Sequence, residues 1–368
     1  MSQRSQNPMK QADSDSLKAE LRQIEDPNTG SPLGDAVRGV AVSGGSVAVD
    51  IRLAYPARGW YGELERMVKA RLRDFDAVEN TTVEIDQLIT SHAVQGGLKP
   101  IQGVKNIIAV ASGKGGVGKS TVAANLALAM HAEGAAVGVL DADIYGPSQP
   151  RMLGLSGRPE TTEDKRILPM RSHGIQAMSI GVLVDTDQAM IWRGPMATQA
   201  LSQMLTETLW QDLDYLIIDL PPGTGDVQLT LAQKIPVAGS IVVTTPQDVA
   251  LDDVRRAVAM FRKVKVPVLG IVENMSTHVC SNCGFEEAVF GHGGGRRMAA
   301  ETGLPLLGEL PLESSLGRST DQGAPVVAAD PDNPASVRFR EVARRTAGRL
   351  ARQALNTEIR MPKITITD

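Results

Sequence analysis

Between Gly113 and Ser120 the chain reads G-K-G-G-V-G-K-S, which fits the phosphate-loop pattern G-x-x-x-x-G-K-S. The apolar run Asn106-Ile107-Ile108-Ala109-Val110 leads into it, and a helical pattern with Val122, Leu126 and Leu128 leads out. That is the strand, loop and helix context such a loop requires. Gly113, Gly115, Gly116 and Gly118 let successive N–H groups turn toward phosphate oxygens, helped by the positive end of the helix dipole. Lys119 then reaches the β and γ phosphates, and Ser120 places its hydroxyl on Mg2+. Lys114 points out of that cradle, and its own loop has no use for it.

Further groups sit where apolar runs end. Asp219 closes Leu216-Ile217-Ile218, where a P-loop enzyme needs a carboxylate beside Mg2+ and its waters. Gly223, in PPGTGD, offers a bare backbone N–H to the γ phosphate. In VLDADIYGPS, Asp141 and Asp143 are two residues apart, so in extended chain both carboxylates fall on one side, one to support the metal and one to orient the attacking water. Cys280 and Cys283 are the two cysteines of the chain, spaced C-x-x-C. An iron-sulfur cluster or a structural zinc usually wants four ligands, so two thiolates need company. A two-fold axis would double them. Zinc held within one chain would instead recruit His278 or His292, and a dithiol redox switch is a third reading.

The elements that must position these groups follow from the patterning. The 368 residues suffice for about two domains, with 22% charged and 42% apolar residues as in soluble globular proteins. A formal net charge of −4 gives no long-range pull toward nucleic acid or anionic lipid. Neither a signal peptide nor an apolar run of membrane-spanning length is apparent, so a cytoplasmic location is expected, with no membrane or nucleic-acid partner. Residues 1–15 are polar and expected to be disordered. Residues 16–90 read as a small α+β domain: a strand at Val47, Val49, Ile51 and Leu53 behind a Ser43-Gly44-Gly45-Ser46 turn, a helix from Trp60 to Phe75, and a strand at Val83 and Ile85. Residues 91–105 form a Gly- and Pro-containing linker. From 106 to 356, buried strands (IIAVAS, AVGVLDAD, YLIIDLPPG, SIVVTTPQ, VPVLGIVENMS) alternate with helices. This predicts an α/β fold, a doubly wound, mostly parallel sheet. Residues 357–368 are expected to be a tail.

GKGGVGKS resembles the deviant Walker A motif of the MinD, ParA and nitrogenase iron protein class. By that resemblance Lys114 reaches across a dimer interface to the partner's nucleotide; a solvated loop lysine is the alternative. Matching positions imply Asp143 as the water-orienting group with Asp141 its neighbour, and Asn274 of VENMS as an adenine contact. With no N-K-x-D sequence after the later strands, ATP is favoured over GTP.

HAVQGGLKPIQGVKNIIAVASGKGGVGKST, DADIYGPS, WRGPM, IIDLPPGTGD, VTTPQDVAL and VENMS followed by CSNCG are together similar to the Mrp/ApbC family of iron-sulfur cluster carrier ATPases. The resemblance implies a homodimer that binds ATP and Mg2+, holds a labile [4Fe-4S] cluster on the cysteine pairs and passes it to apoproteins. Lys119, Asp143 and Lys114 are then catalytic. Gly113, Lys114, Gly115, Gly116, Val117, Gly118, Lys119, Ser120, Thr121, Gly223 and Asn274 bind nucleotide. Cys280 and Cys283 hold the cluster, and Ser120 and Asp219 serve Mg2+. The N-terminal part resembles the MIP18-like domain of many members, although Asp26-Pro27-Asn28 stands where D-P-E is common and the part contains no cysteine. Docking or regulation is therefore its expected role. A MinD- or ParA-like spatial organiser is the rival reading, resting on the arginine-rich segment VRFREVARRTAGRLARQ, which is expected to be a packed terminal helix.

Overall fold

The structure is a computed structural model and describes residues 13–75, 78–184, 194–280 and 282–355. The tail expected at 357–368 and most of that expected at 1–15 lie outside these residues. Within the latter, the chain is helical from Ser14. The Asp13 carboxylate accepts the N–H groups of Asp15 and Ser16 at 3.0 and 2.9 Å, an N-cap that the polar composition of the segment concealed.

The N-terminal unit runs α1 (Ser14–Leu21), β1 (Val37–Ser43), β2 (Ser46–Leu53), α2 (Tyr61–Leu72) and β3 (Asn80–Gln87). β2 pairs antiparallel with β1 and parallel with β3. Gly44 and Gly45 both have positive φ, 51° and 81°, as a two-residue hairpin loop demands. Val47, Val49, Ile51 and Leu53 face the core in strict alternation with exposed residues.

The strands of the larger sheet are β4 (Val104–Ala111), β5 (Val137–Asp141), β6 (Met170–Ser172), β7 (Ile175–Ser179), β8 (Leu213–Asp219), β9 (Gly239–Thr244), β10 (Val268–Glu273) and β11 (Leu306–Glu309). They form one eight-stranded sheet in the order β11-β10-β9-β4-β8-β5-β7-β6, parallel except for β6. Helices α3 (Lys119–Ala132), α4 (Gly194–Glu207), α5 (Asp226–Lys234), α6 (Asp248–Lys263), α7 (Gly294–Thr302), α8 (Ser314–Asp321) and α9 (Pro334–Leu350) complete this part. The expected doubly wound, mostly parallel architecture is present. The apolar sequence runs foretell β4, β5, β8, β9 and β10. They do not foretell β7 and β11, whose sequences are not continuously β-branched, nor β6, which is three residues long.

α3 carries the phosphate loop at its first turn and is buried on all sides from Val122 to Met130. Its last turn is held from two directions. The buried Glu133 carboxylate accepts from Arg344 Nη1 of α9 at 2.7 Å and from the backbone N–H of Gly59, in the N-terminal unit, at 2.7 Å. The Glu133 carbonyl also accepts the Arg58 N–H at 3.2 Å. Apolar contact follows the same path, and one continuous core joins Leu17, Ile51 and Leu64 to Leu126 of α3 and Phe339 of α9. The arginine-rich segment is thus a packed helix whose Phe339, Val342 and Leu350 are buried. Among the described residues no helix is long and apolar enough to cross a membrane.

Candidate nucleotide site and cysteine hairpin

The register of the sheet sets the carboxylates. Asp219, the last residue of β8, lies level with Val110 of β4 and with Asp141 of β5. The loop after β4 therefore turns directly beside Asp219. Gly118, at φ 78°, makes the final left-handed turn before α3, and an added Cβ there would lie 2.3 Å from Asn274 Nδ2. A cavity of about 260 Å3 opens above this loop, lined by Lys114, Gly115, Gly116, Gly118, Lys119, Ser120, Thr121 and Asp143, and closed by Ser148, Met152 and Pro222.

Lys119 is buried with its ammonium on Asp219 Oδ1 and 3.2 Å from Ser120 Oγ. Gln149 Nε2 donates to Asp219 Oδ2 at 2.9 Å and to the Ser120 carbonyl at 3.0 Å. Both oxygens of Asp219 are therefore engaged, one by the Lys119 charge and one by the Gln149 amide.

Asp141 and Asp143 differ in their surroundings. β5 ends at Asp141, so the alternation that would align them stops there. Asp143 lines the cavity and burial raises its carboxyl above the usual range. Asp141 is fully buried and pins the loop that follows. Its carboxylate accepts from the N–H groups of Asp143 (3.1 Å), Ser148 (3.0 Å) and Gln149 (3.0 Å) and from Ser179 Oγ (3.1 Å). Burial, reinforced by the Asp219 charge, pushes Asp141 up to about 7, the N–H groups of Gln149 and Asp143 and the Lys119 charge offsetting only part of this. The folded chain thus holds a proton that the unfolded chain releases near pH 4, and stability should fall as pH rises from about 4 to about 7. Urea midpoints of the nucleotide-free protein at about pH 5 and pH 8 test this: the midpoint is expected to be lower at the higher pH, with a smaller gap in Asp141→Ala.

Two expected nucleotide contacts are occupied otherwise. The Gly223 N–H donates to the Ser112 carbonyl at 2.9 Å, so a phosphate would have to replace that bond. Asn274 is buried beneath the loop and its Nδ2 donates to the Val117 carbonyl at 2.9 Å, which makes it a brace of the loop in this state. Gly113 and Val117 do not line the cavity: a Cβ at Gly113 would lie 2.3 Å from Asp253 Cβ, and Val117 is buried. Lys114 is half-buried at the cavity rim, and its ammonium makes no ion pair or hydrogen bond with a described residue. Gln149, which sequence patterning passes over, joins Ser120 and Asp219 through its amide and is fixed on Asp141 through its N–H. It follows Pro147-Ser148 directly, at the start of the single-turn helix Gln149–Met152.

The cysteines lie on a hairpin beyond β10. His278–Val279 pairs antiparallel with Glu286–Glu287. Cys280 N–H donates to the Phe285 carbonyl at 2.9 Å, and Gly284 N–H to the Cys280 carbonyl at 2.8 Å. Gly284 takes φ 72°, the reversal that folds the chain back on its first cysteine. The N–H groups of Asn282 and Cys283, with the Cys283 thiol, hold the Cys280 thiol below its ordinary range. Among the described residues no group of three His, Cys, Asp or Glu side chains could hold a metal ion, so His278 and His292 do not complete a site with the pair. Phe285 and Val289, beside it, are more than half exposed.

Comparison with known proteins agrees with this geometry. A family described as NUBPL iron-transfer P-loop NTPase matches residues 103–347, and one described as iron-sulfur cluster assembly protein matches residues 15–85. An iron-sulfur cluster carrier protein of Pseudomonas fragi is 53% identical over 279 residues, covering 75% of this chain and 97% of the relative. One from Deinococcus radiodurans is 43% identical over 345 residues, covering 93% and 97%. Among solved structures, a nucleotide-binding protein of Archaeoglobus fulgidus in complex with ADP superposes with a TM-score of 0.56 at 37% identity, covering 64% of this chain and 92% of that one. The cell division ATPase MinD of Pyrococcus furiosus, at 21% identity and a TM-score of 0.51 over 65% and 97%, shares the fold. On the match from 103 to 347 and relatives that cover 75% and 93% of it, the chain belongs to the family of NUBPL iron-transfer P-loop NTPases, with the iron-sulfur cluster carrier proteins as its relatives.

Proposed function

We propose that the protein binds and hydrolyses ATP with Mg2+, holds a [4Fe-4S] cluster as cargo between two copies of the chain, and passes it to apoproteins in the cytoplasm. The observation that carries this reading is the cysteine hairpin. It presents two thiols and two exposed apolar side chains, with no third ligand among the described residues, so a second copy is the simplest source of the missing pair. The iron-sulfur carrier names of the relatives support the cargo, and the ADP complex of the Archaeoglobus fulgidus protein supports the nucleotide.

In this reading Ser120 and Asp219 serve Mg2+, which neutralises charge on the phosphates when bound. Lys119 turns from Asp219 to the phosphates, and Asp143, at the cavity wall, orients the attacking water. Lys114 reaches the nucleotide of the second copy. Lys114→Ala is expected to lower ATP turnover at least tenfold with an unchanged melting temperature, the size of effect that loss of one phosphate-directed cation brings. Mixed with Lys119→Ala, it should give heterodimers whose two sites turn over unequally. Normal turnover by Lys114→Ala would reduce the lysine to a solvated loop residue.

A further inference from the structure

Two polar atoms beside the phosphate cavity are buried and have no hydrogen-bond partner among the described residues: the hydroxyl of Ser148 and the side-chain carbonyl oxygen of Gln149. Orphaned buried acceptors and hydroxyls are uncommon, because each forfeits its hydration without return. Here they are consecutive, and their backbone N–H groups are both fixed on Asp141. Ser148 lines the cavity itself. Gln149 is buried one residue behind it, and its amide nitrogen spans the two residues that the ATPase reading gives to Mg2+, bonding the Ser120 carbonyl at 3.0 Å and Asp219 Oδ2 at 2.9 Å. Nothing about folding requires this amide to touch both carriers and leave its oxygen idle.

We propose that Ser148 and Gln149 form the metal side of the nucleotide site. Gln149 is a positioning residue that sets Ser120 and Asp219 at the spacing Mg2+ needs, and the Ser148 hydroxyl is a direct polar contact for the Mg2+-bound nucleotide. The assignment rests on the ATPase reading and adds two residues to it. The idle atoms are the cost of pre-organisation: an atom with no partner in the protein need not be released from one when a ligand arrives.

The test separates ligand contact from structural support. ADP affinity would be measured with and without Mg2+ for the wild type, Ser148→Ala and Gln149→Met, alongside melting of each nucleotide-free protein. Because removing an unpaired buried hydroxyl relieves a desolvation cost, nucleotide-free Ser148→Ala is expected to melt at or above the wild-type temperature. Its affinity for ADP with Mg2+ should nevertheless fall by roughly tenfold, the loss of one hydrogen bond to a charged ligand, while affinity without Mg2+ stays within about twofold. Gln149→Met should show the same split and a higher Mg2+ concentration for half-saturation. A lowered melting temperature in Ser148→Ala with unchanged Mg2+-ADP affinity would overturn the proposal, as would an equal loss with and without Mg2+ in Gln149→Met. A wild type that binds no ADP in either condition would instead overturn the ATPase reading beneath it.

Discussion

Lys119→Ala is expected to reduce ATP turnover by at least about a hundredfold, the scale seen when one preorganised charge is taken from a transition state. The structure adds a second consequence. Lys119 and Asp219 are a buried ion pair, 6% and 0% exposed at the side chain. Removing the cation alone leaves Asp219 buried beside Asp141, with Gln149 as its remaining hydrogen-bond partner among the described residues. Breaking such a pair typically costs about 3–5 kcal/mol. Loss of activity in the single variant would therefore mix chemistry with stability. The double variant Lys119→Ala/Asp219→Asn isolates the stability part: its melting temperature should recover most of the loss. The chemical part is read from Lys119→Ala itself, assayed well below its melting temperature, where turnover should stay low; normal turnover there would show that Lys119 acts on the fold alone.

Cys280→Ala or Cys283→Ala should abolish cluster binding rather than halve it, because each substitution takes one thiolate from both copies of a shared four-thiolate site. Iron and sulfide per chain after anaerobic reconstitution, with the oligomeric mass, measure this. The wild type should hold about two irons per chain as a dimer, since four irons are divided between two chains. It should also resist dissociation on dilution more than the apoprotein, because a ligand shared by two chains stabilises their association. Nucleotide binding by the variants should persist, since the phosphate loop follows β4 and the hairpin follows β10. Four irons on a stable monomer, or stoichiometric zinc that iron cannot displace, would sink the bridged-cluster reading.

Where the sequence was legible, one kind of side chain decided the local structure by itself. The glycines of the phosphate loop, the apolar strands ending in Asp141 and Asp219, and Gly284 after the second cysteine each announce a backbone conformation. What escaped was decided by distant partners. Asp141 reads as a second active-site carboxylate until Ser148, Gln149 and Ser179, seven to thirty-eight residues away, are seen to spend its oxygens. Asn274 and Gly223 read as ligand contacts, and the sequence does not show that the carbonyls of Val117 and Ser112 meet their N–H groups. Gln149 had no periodicity or motif to mark it, because its importance lies in reaching Ser120 and Asp219 at once.

The grip on the far end of α3 changes what the N-terminal unit is. Glu133 lies between Arg344 and Gly59, and the core runs without a break from Leu17 to Phe339. Units that share a core couple their unfolding, so opening one part of the chain uncovers apolar surface of the other although the two match separate families. A ligand taken up at the phosphate loop then protects strands it never touches. At about a hundred times its dissociation constant, nucleotide adds about 2.7 kcal/mol against global unfolding, and β2 shares it wherever its amides exchange through that unfolding. The small unit thus carries, in how slowly its amides exchange with water, a record of whether the distant site is filled.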